Sequence, residues 1–176
     1  MMRALLMKFP APALAAVLLC GCSSSEEFNP DDFGGPIATI ADSGIQTSRS
    51  EVDFFFVSQV GGKEVTTSID RTAQNNAGMG FSVRPVFAEH RVPAEPVTVA
   101  IVGRTYYGAP VLSLANTVYE VKGKVKFTPL PNRVYRVAGA LTPDYSAVWI
   151  EEEATGKPVT RKIEVHGSAA LGLFSK

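Results

Sequence analysis

Tyr119-Glu120-Val121-Lys122-Gly123-Lys124-Val125-Lys126-Phe127 decides the fold class of this 176-residue chain. Successive side chains of an extended strand point to opposite faces. Tyr119, Val121, Val125 and Phe127 therefore share one face, and Glu120, Lys122, Lys124 and Lys126 share the other. That is a strand with one face in a core and one in water. The same alternation recurs downstream. After Pro129-Leu130-Pro131-Asn132 breaks the chain, Tyr135, Val137 and Leu141 alternate, and residues 147–151 carry the single tryptophan, Trp149. Thr155-Gly156-Lys157-Pro158 turns once more. Val159, Arg161, Ile163 and Val165 then face away from Thr160, Lys162 and Glu164.

Working upstream, residues 51–60 are rich in Phe and Val, end at Gly61-Gly62-Lys63 and resume at Glu64-Val65-Thr66-Thr67. This predicts a β-hairpin with a glycine-supplied turn. Phe54, Phe55 and Phe56 put rings on both faces of one strand, as in a strand covered on both sides. Further strand-like runs are 37–41, 79–87, 97–104 and 107–112. Residues 71–80 read as the most polar loop and 89–96 as a second long connection. No ten-residue window shows helical periodicity, and no repeat of fixed period is present. Eight or nine short strands with Gly/Pro turns predict an all-β fold, a single antiparallel β-sandwich, with a small closed soluble barrel as the alternative. A transmembrane barrel needs strands of about 9–11 residues with an apolar outer band. These runs are mostly shorter, and prolines punctuate them.

The N-terminus carries a different signal. Arg3 and Lys8 precede an apolar stretch, residues 11–19, interrupted only by Pro12. A membrane span needs about 20 apolar residues, so the stretch suits a signal-peptide core instead. It closes on Leu19-Cys20-Gly21-Cys22-Ser23, which resembles the lipobox of bacterial lipoproteins. Ala13-Leu14-Ala15 has the form of an ordinary cleavage site but lies inside the apolar stretch. Cys20 as the modified residue would put bulky Leu19 where a small residue is wanted. Cys22, behind Gly21 and with Leu19 at the third position back, fits better.

The resemblance implies that residues 1–21 are cleaved and that Cys22 becomes an acylated N-terminus. One acyl chain binds a membrane marginally, and two or more hold stably. Ser23 in place of Asp implies sorting to the outer membrane, with the folded part on the periplasmic face. Residues 22–36, acidic and rich in Ser, Gly and Pro, read as a flexible tether, and 37–176 as the folded domain, which resembles small β-sandwich envelope lipoproteins.

Composition bounds the partners. The chain has 17 basic and 17 acidic residues, and losing Arg3 and Lys8 with the leader leaves a net charge of −2. That balance gives no electrostatic case for nucleic acid. Both cysteines sit at the end of the leader, so the domain is expected to fold without an internal disulfide.

Candidate chemistry is sparse. The two histidines, His90 and His166, lack the short-spaced Cys or His neighbours of a zinc site, so no metal or other cofactor is expected. Both read as surface or loop-packing side chains. No Gly-x-Ser-x-Gly elbow raises the case for a hydrolase. Gly61-Gly62-Lys63 lacks the spacing of a phosphate loop. Glu151-Glu152-Glu153 reads as a solvated edge. Lys122, Lys124 and Lys126 form a ladder spaced about 6.6–6.8 Å apart. It is a candidate contact for anionic lipid or cell wall, and otherwise a solvated or edge-guarding face. The expectation is a non-enzymatic, lipid-anchored protein that contacts envelope components, with no catalytic residues. Two alternatives remain: a binder of a lipid or other apolar ligand, marked by an enclosed cavity, and a hydrolase, marked by His90 or His166 converging with Asp/Glu and Ser in a cleft.

Overall fold

The computed structural model describes residues 27–176. Cys22 and the leader lie outside the described residues. The domain is mostly β, built as two packed sheets. Its strands are β1 (Ile37–Ala41), β2 (Ser43–Ser48), β3 (Glu51–Val60), β4 (Lys63–Glu64), β5 (Glu89–Pro93), β6 (Val97–Tyr107), β7 (Glu120–Phe127), β8 (Val134–Leu141), β9 (Tyr145–Glu152), β10 (Lys157–Pro158) and β11 (Ile163–His166). Two helices interrupt them, α1 (Ser68–Asn75) and α2 (Pro110–Ala115). One sheet has the order β10-β9-β8-β1-β5, with β11 also on β9, and the other β2-β3-β6-β7, with β4 also on β3. Neither closes into a barrel.

Several expectations need correction. The described residues hold eleven strands rather than eight or nine, two of them only two residues long. The pairing is not wholly antiparallel, because β1 and β8 run parallel, Ile40 opposite Tyr135. β7 and β8 lie in different sheets, and the 128–133 loop carries the chain across, so β8 starts beside the start of β1. Residues 89–96 are not all connection, since β5 pairs with β1 through Ala38 and Val92.

Residues 79–87 form no strand. Their backbone is satisfied by side chains of and next to α1: Val86 N–H donates to Thr72 Oγ1 at 2.9 Å and Arg84 N–H to Asn76 Oδ1 at 2.8 Å. Strand character also stops at Tyr107, because Pro110, which has no N–H to offer a ladder, opens α2 instead. The supposed loop at 71–80 begins inside α1, capped by Thr67 and Asp70, each side chain bonding the other's backbone N–H.

The hairpin turn is as expected: Gly61 and Gly62 take φ of 61° and 87°, the left-handed conformation that two-residue hairpin loops favour. The facing of β7 also matches its sequence, with Val121 and Val125 buried and Lys122, Lys124 and Lys126 exposed.

The main core lies between the sheets. Phe55, Val57, Val99, Ile101, Val121 and Val125 of one sheet meet Ile40, Val92, Tyr135, Val137, Val148 and Ile150 of the other. Phe54 and Phe56 point the other way, into a second cluster with Val52, Val83 and Val102. α1 and the 77–88 segment cover this cluster, and the Phe87 ring stands edge-on to Phe54 at 5.7 Å. The triple-phenylalanine stretch is thus buried on both faces, as its sequence implies.

The start of the domain differs from a free coil. Phe28 packs against the main core, its N–H donates to Glu64 O at 2.8 Å, and Glu27 pairs with Glu64. Asp31 ion-pairs with Arg91 at 2.8 Å. From Glu27 onward the segment read as tether is therefore held on the domain.

Candidate functional site

The outer face of the β2-β3-β6-β7 sheet is apolar over more area than α1 covers. What remains is a groove of about 680 Å³, open to solvent along one side. Phe56, Val102 and Tyr106 form its floor, Ile69 of α1 one wall and Leu114 of α2 the other. α2 buries none of its residues, and Val111 and Leu114 are 57% and 56% exposed. Such a helix presents its side chains outward rather than stabilising the domain.

The rim is charged and preorganised. Glu120, whose side chain is 9% exposed, accepts from Arg104 Nη1 through Oε2 and from Lys122 Nζ through Oε1, both at 2.7 Å. One carboxylate thereby fixes two cations at the edge of an apolar floor. Lys176 Nζ donates to Asn116 O at 2.6 Å. Burial pushes the Tyr106 hydroxyl up from its usual range. Tyr107 is pushed up to about 12 by burial first and then by Glu51. Both therefore remain neutral phenols at physiological pH. No histidine or cysteine lines the groove among the described residues, and its apolar floor is framed by charge-assisted hydrogen bonds.

Of the lysine ladder, only Lys122 belongs to this groove. Lys124 and Lys126 line two other shallow hollows toward the far end of β7. All three are exposed, so replacing them together with Gln should cost little stability. Exposed charges usually contribute within about ±0.5 kcal/mol each. Glu120 keeps Arg104 when Lys122 is lost. Val125→Ala, by contrast, removes buried methyl groups and should cost about 2 kcal/mol or more. Thermal melts of the two variants check this. A triple variant that melts as low as Val125→Ala would reverse the assigned facing.

His90 is not a surface or loop side chain. It is 7% exposed within β5, and its Nε2 lies 3.1 Å from Asp42 Oδ1. Asp42 Oδ2 accepts from Ser68 Oγ at 2.7 Å, and Oδ1 also accepts from Val57 N–H at 2.9 Å. Ser68 Oγ in turn accepts from Ala88 N–H at 2.8 Å. Serine, aspartate and histidine have converged, but in the wrong order for nucleophilic catalysis, because the carboxylate stands between the other two. The histidine cannot take the serine proton, and Ser68 is fully buried. The set works as a structural clasp.

The acidic run needs the same treatment. Glu151 is 7% exposed, paired with Arg136 across the strands and with Trp149 Nε1 at 3.0 Å. Trp149 lies on the outer face of its sheet with Lys162 Nζ 4.2 Å above its ring. Only Glu153 of the three is fully solvated, while Glu152 pairs with Arg133. His166 is exposed, its ring tilted at 44° against Tyr145 with centroids 5.4 Å apart. Among the described residues no three His, Cys, Asp or Glu side chains gather to hold a metal ion, and no helix is long and apolar enough to cross a membrane.

The chain matches no protein-family model, no curated protein and no solved structure.

Proposed function

We propose that this is a lipid-anchored protein of the bacterial outer membrane, facing the periplasm, whose β-sandwich domain is a non-enzymatic interaction module. Cys22 in its lipobox-like setting supports the anchor. The observation that carries the interaction role is the groove between α1 and α2. It has an apolar floor, a paired cationic rim on Glu120, and a wall helix with two exposed aliphatic side chains. A groove open along its length fits a segment of another envelope protein better than a sequestered lipid, which wants enclosure.

The test is a photo-crosslinking residue placed at Leu114 or, as a control on the opposite sheet, at Thr155. Illumination of intact envelopes should give a discrete adduct from position 114 and none from 155. Introducing Val102→Asp into the groove floor should remove that adduct. Equal labelling from both positions would overturn the groove as the contact.

A further inference from the structure

Phe28 is held on the domain six residues after Cys22. It lines a hollow with Val60, Gly61, Gly62, Pro96 and Lys124, at the end of the stack where β3 turns into β4 and β6 begins. The bound segment shortens the leash. From Cys22 to Glu27 is five Cα steps, which reach at most about 18 Å fully extended. Had the chain been free as far as Ile37, the same limit would be about 54 Å.

We infer that this end of the domain rests on the anionic headgroups of the membrane that holds Cys22, leaving the α2 rim of the groove farthest from it. The inference rests on Cys22 being acylated. A leash of that length keeps the Phe28 end at the membrane. The groove runs from Ser58, two residues from Val60, to Glu120 at its α2 rim, which lies seven residues along β7 from Phe127, about 23 Å at strand rise.

The surface at this end suits an anionic membrane. Leu130 is 57% exposed at the tip of the 128–133 loop, in reach of apolar depth just below the headgroups. Lys124 and Lys126 are exposed on the adjoining half of β7 and form no ion pair among the described residues. Lys126 shares its hollow with Pro96 and Thr128. The carboxylates Glu27 and Glu64 sit at β4, on the opposite edge of the sheet, and Glu95 shares the Phe28 hollow with Lys124, so it is the outer β7 corner, Lys126 with Leu130, that tilts toward the lipid. Attraction of this kind acts within a Debye length, about 8–10 Å at ordinary salt. That distance lies inside the reach of the leash. The lysine ladder thus divides: Lys122 serves the groove, and Lys124 with Lys126 serves the membrane.

The experiment uses the protein produced from its full-length sequence and purified from the envelope with its native processing, placed in vesicles containing phosphatidylglycerol. A fluorophore is attached through Thr128→Cys in one sample and Ala115→Cys in another. Lipids bearing a headgroup spin label should quench the probe at 128 severalfold more than the probe at 115. Adding Lys124→Gln, Lys126→Gln and Leu130→Ser should lower quenching at 128. Equal quenching at the two positions, or stronger quenching at 115, would overturn the orientation. Intact mass reports Cys22 acylation separately. Acylated protein with equal quenching refutes only the orientation, whereas unacylated protein refutes the anchor and the orientation with it.

Discussion

Gly139→Val should destabilise the domain by about 3 kcal/mol or more, at the upper end of overpacking costs. A Cβ at 139 would collide with the Phe55 ring and come within 2.5 Å of Ala147 O. The second contact is to backbone of the paired strand β9, which cannot step aside. Nor has Phe55 anywhere to go, since a Cβ at Gly103 would already lie 3.1 Å from its Cδ1. The ring fills the space that two glycines, one in each sheet, leave open. For a domain of this size the loss corresponds to a fall in Tm of about 6–12 °C. Phe55→Ala should cost about 3–5 kcal/mol by itself. Gly139→Ala combined with Phe55→Leu should cost less than the sum of the two changes, because the smaller side chain vacates the disputed volume. Strict additivity in thermal or urea melts would show that ring and glycine do not interlock.

That pairing illustrates what alternation can and cannot reveal. The inward set of β7 and the two-sided burial of Phe54, Phe55 and Phe56 follow from period two alone, because strand geometry makes facing a local property. Which glycine receives the Phe55 ring depends on the register of β3 with β6 and β8 with β9, and no local pattern encodes it. α1 is hidden from the hydrophobic pattern for another reason. Its buried residues are Ser68 and Thr72, not aliphatics, so the helix carries no hydrophobic stripe. It docks through hydroxyls that bond the backbone at Ala88 and Val86. The legible trace was Thr67 with Asp70 three residues on, a capping pattern close to that of Ser/Thr with Glu or Gln.

The groove was likewise only partly legible. Lys122 stands out in the sequence as part of a lysine ladder, but Arg104 and Glu120 become its partners only when β6 lies against β7, with Arg104 opposite Glu120. Leu114 follows the strand-like run 107–112 and carries no signal of its own. Three acids in a row look like a solvated edge, yet Glu151 is buried. Cross-strand Arg136 and the neighbouring Trp149 indole shelter it instead. Charge runs show where carboxylates are, and pairing decides which of them are buried.

Asp42→Ala should be among the most destabilising single changes, at about 3–5 kcal/mol, the cost of removing one partner from a buried pair. Asp42 occupies the corner where the chain passes from β1 in one sheet to β2 in the other. Its side chain is fully buried, and its carboxylate holds three groups that have no water to turn to: His90 Nε2, Ser68 Oγ and Val57 N–H. Each buried donor left unpaired costs about 1–3 kcal/mol. The alanine variant orphans all three and loosens the α1 terminus from β5, against a total stability of about 5–15 kcal/mol. Asp42→Asn should be milder, since Oδ1 can still accept from Val57 N–H and His90. Its amide group then faces Ser68 Oγ, which can accept from it while retaining the Ala88 N–H. Urea denaturation of the two variants should therefore rank them with alanine well below asparagine. Native-state hydrogen exchange adds a readout of place. Asp42→Ala should deprotect the Val57 and Ala88 amides together, because one carboxylate links them through Ser68. If those amides keep their protection while overall stability falls, the clasp idea fails and Asp42 matters only to the corner itself.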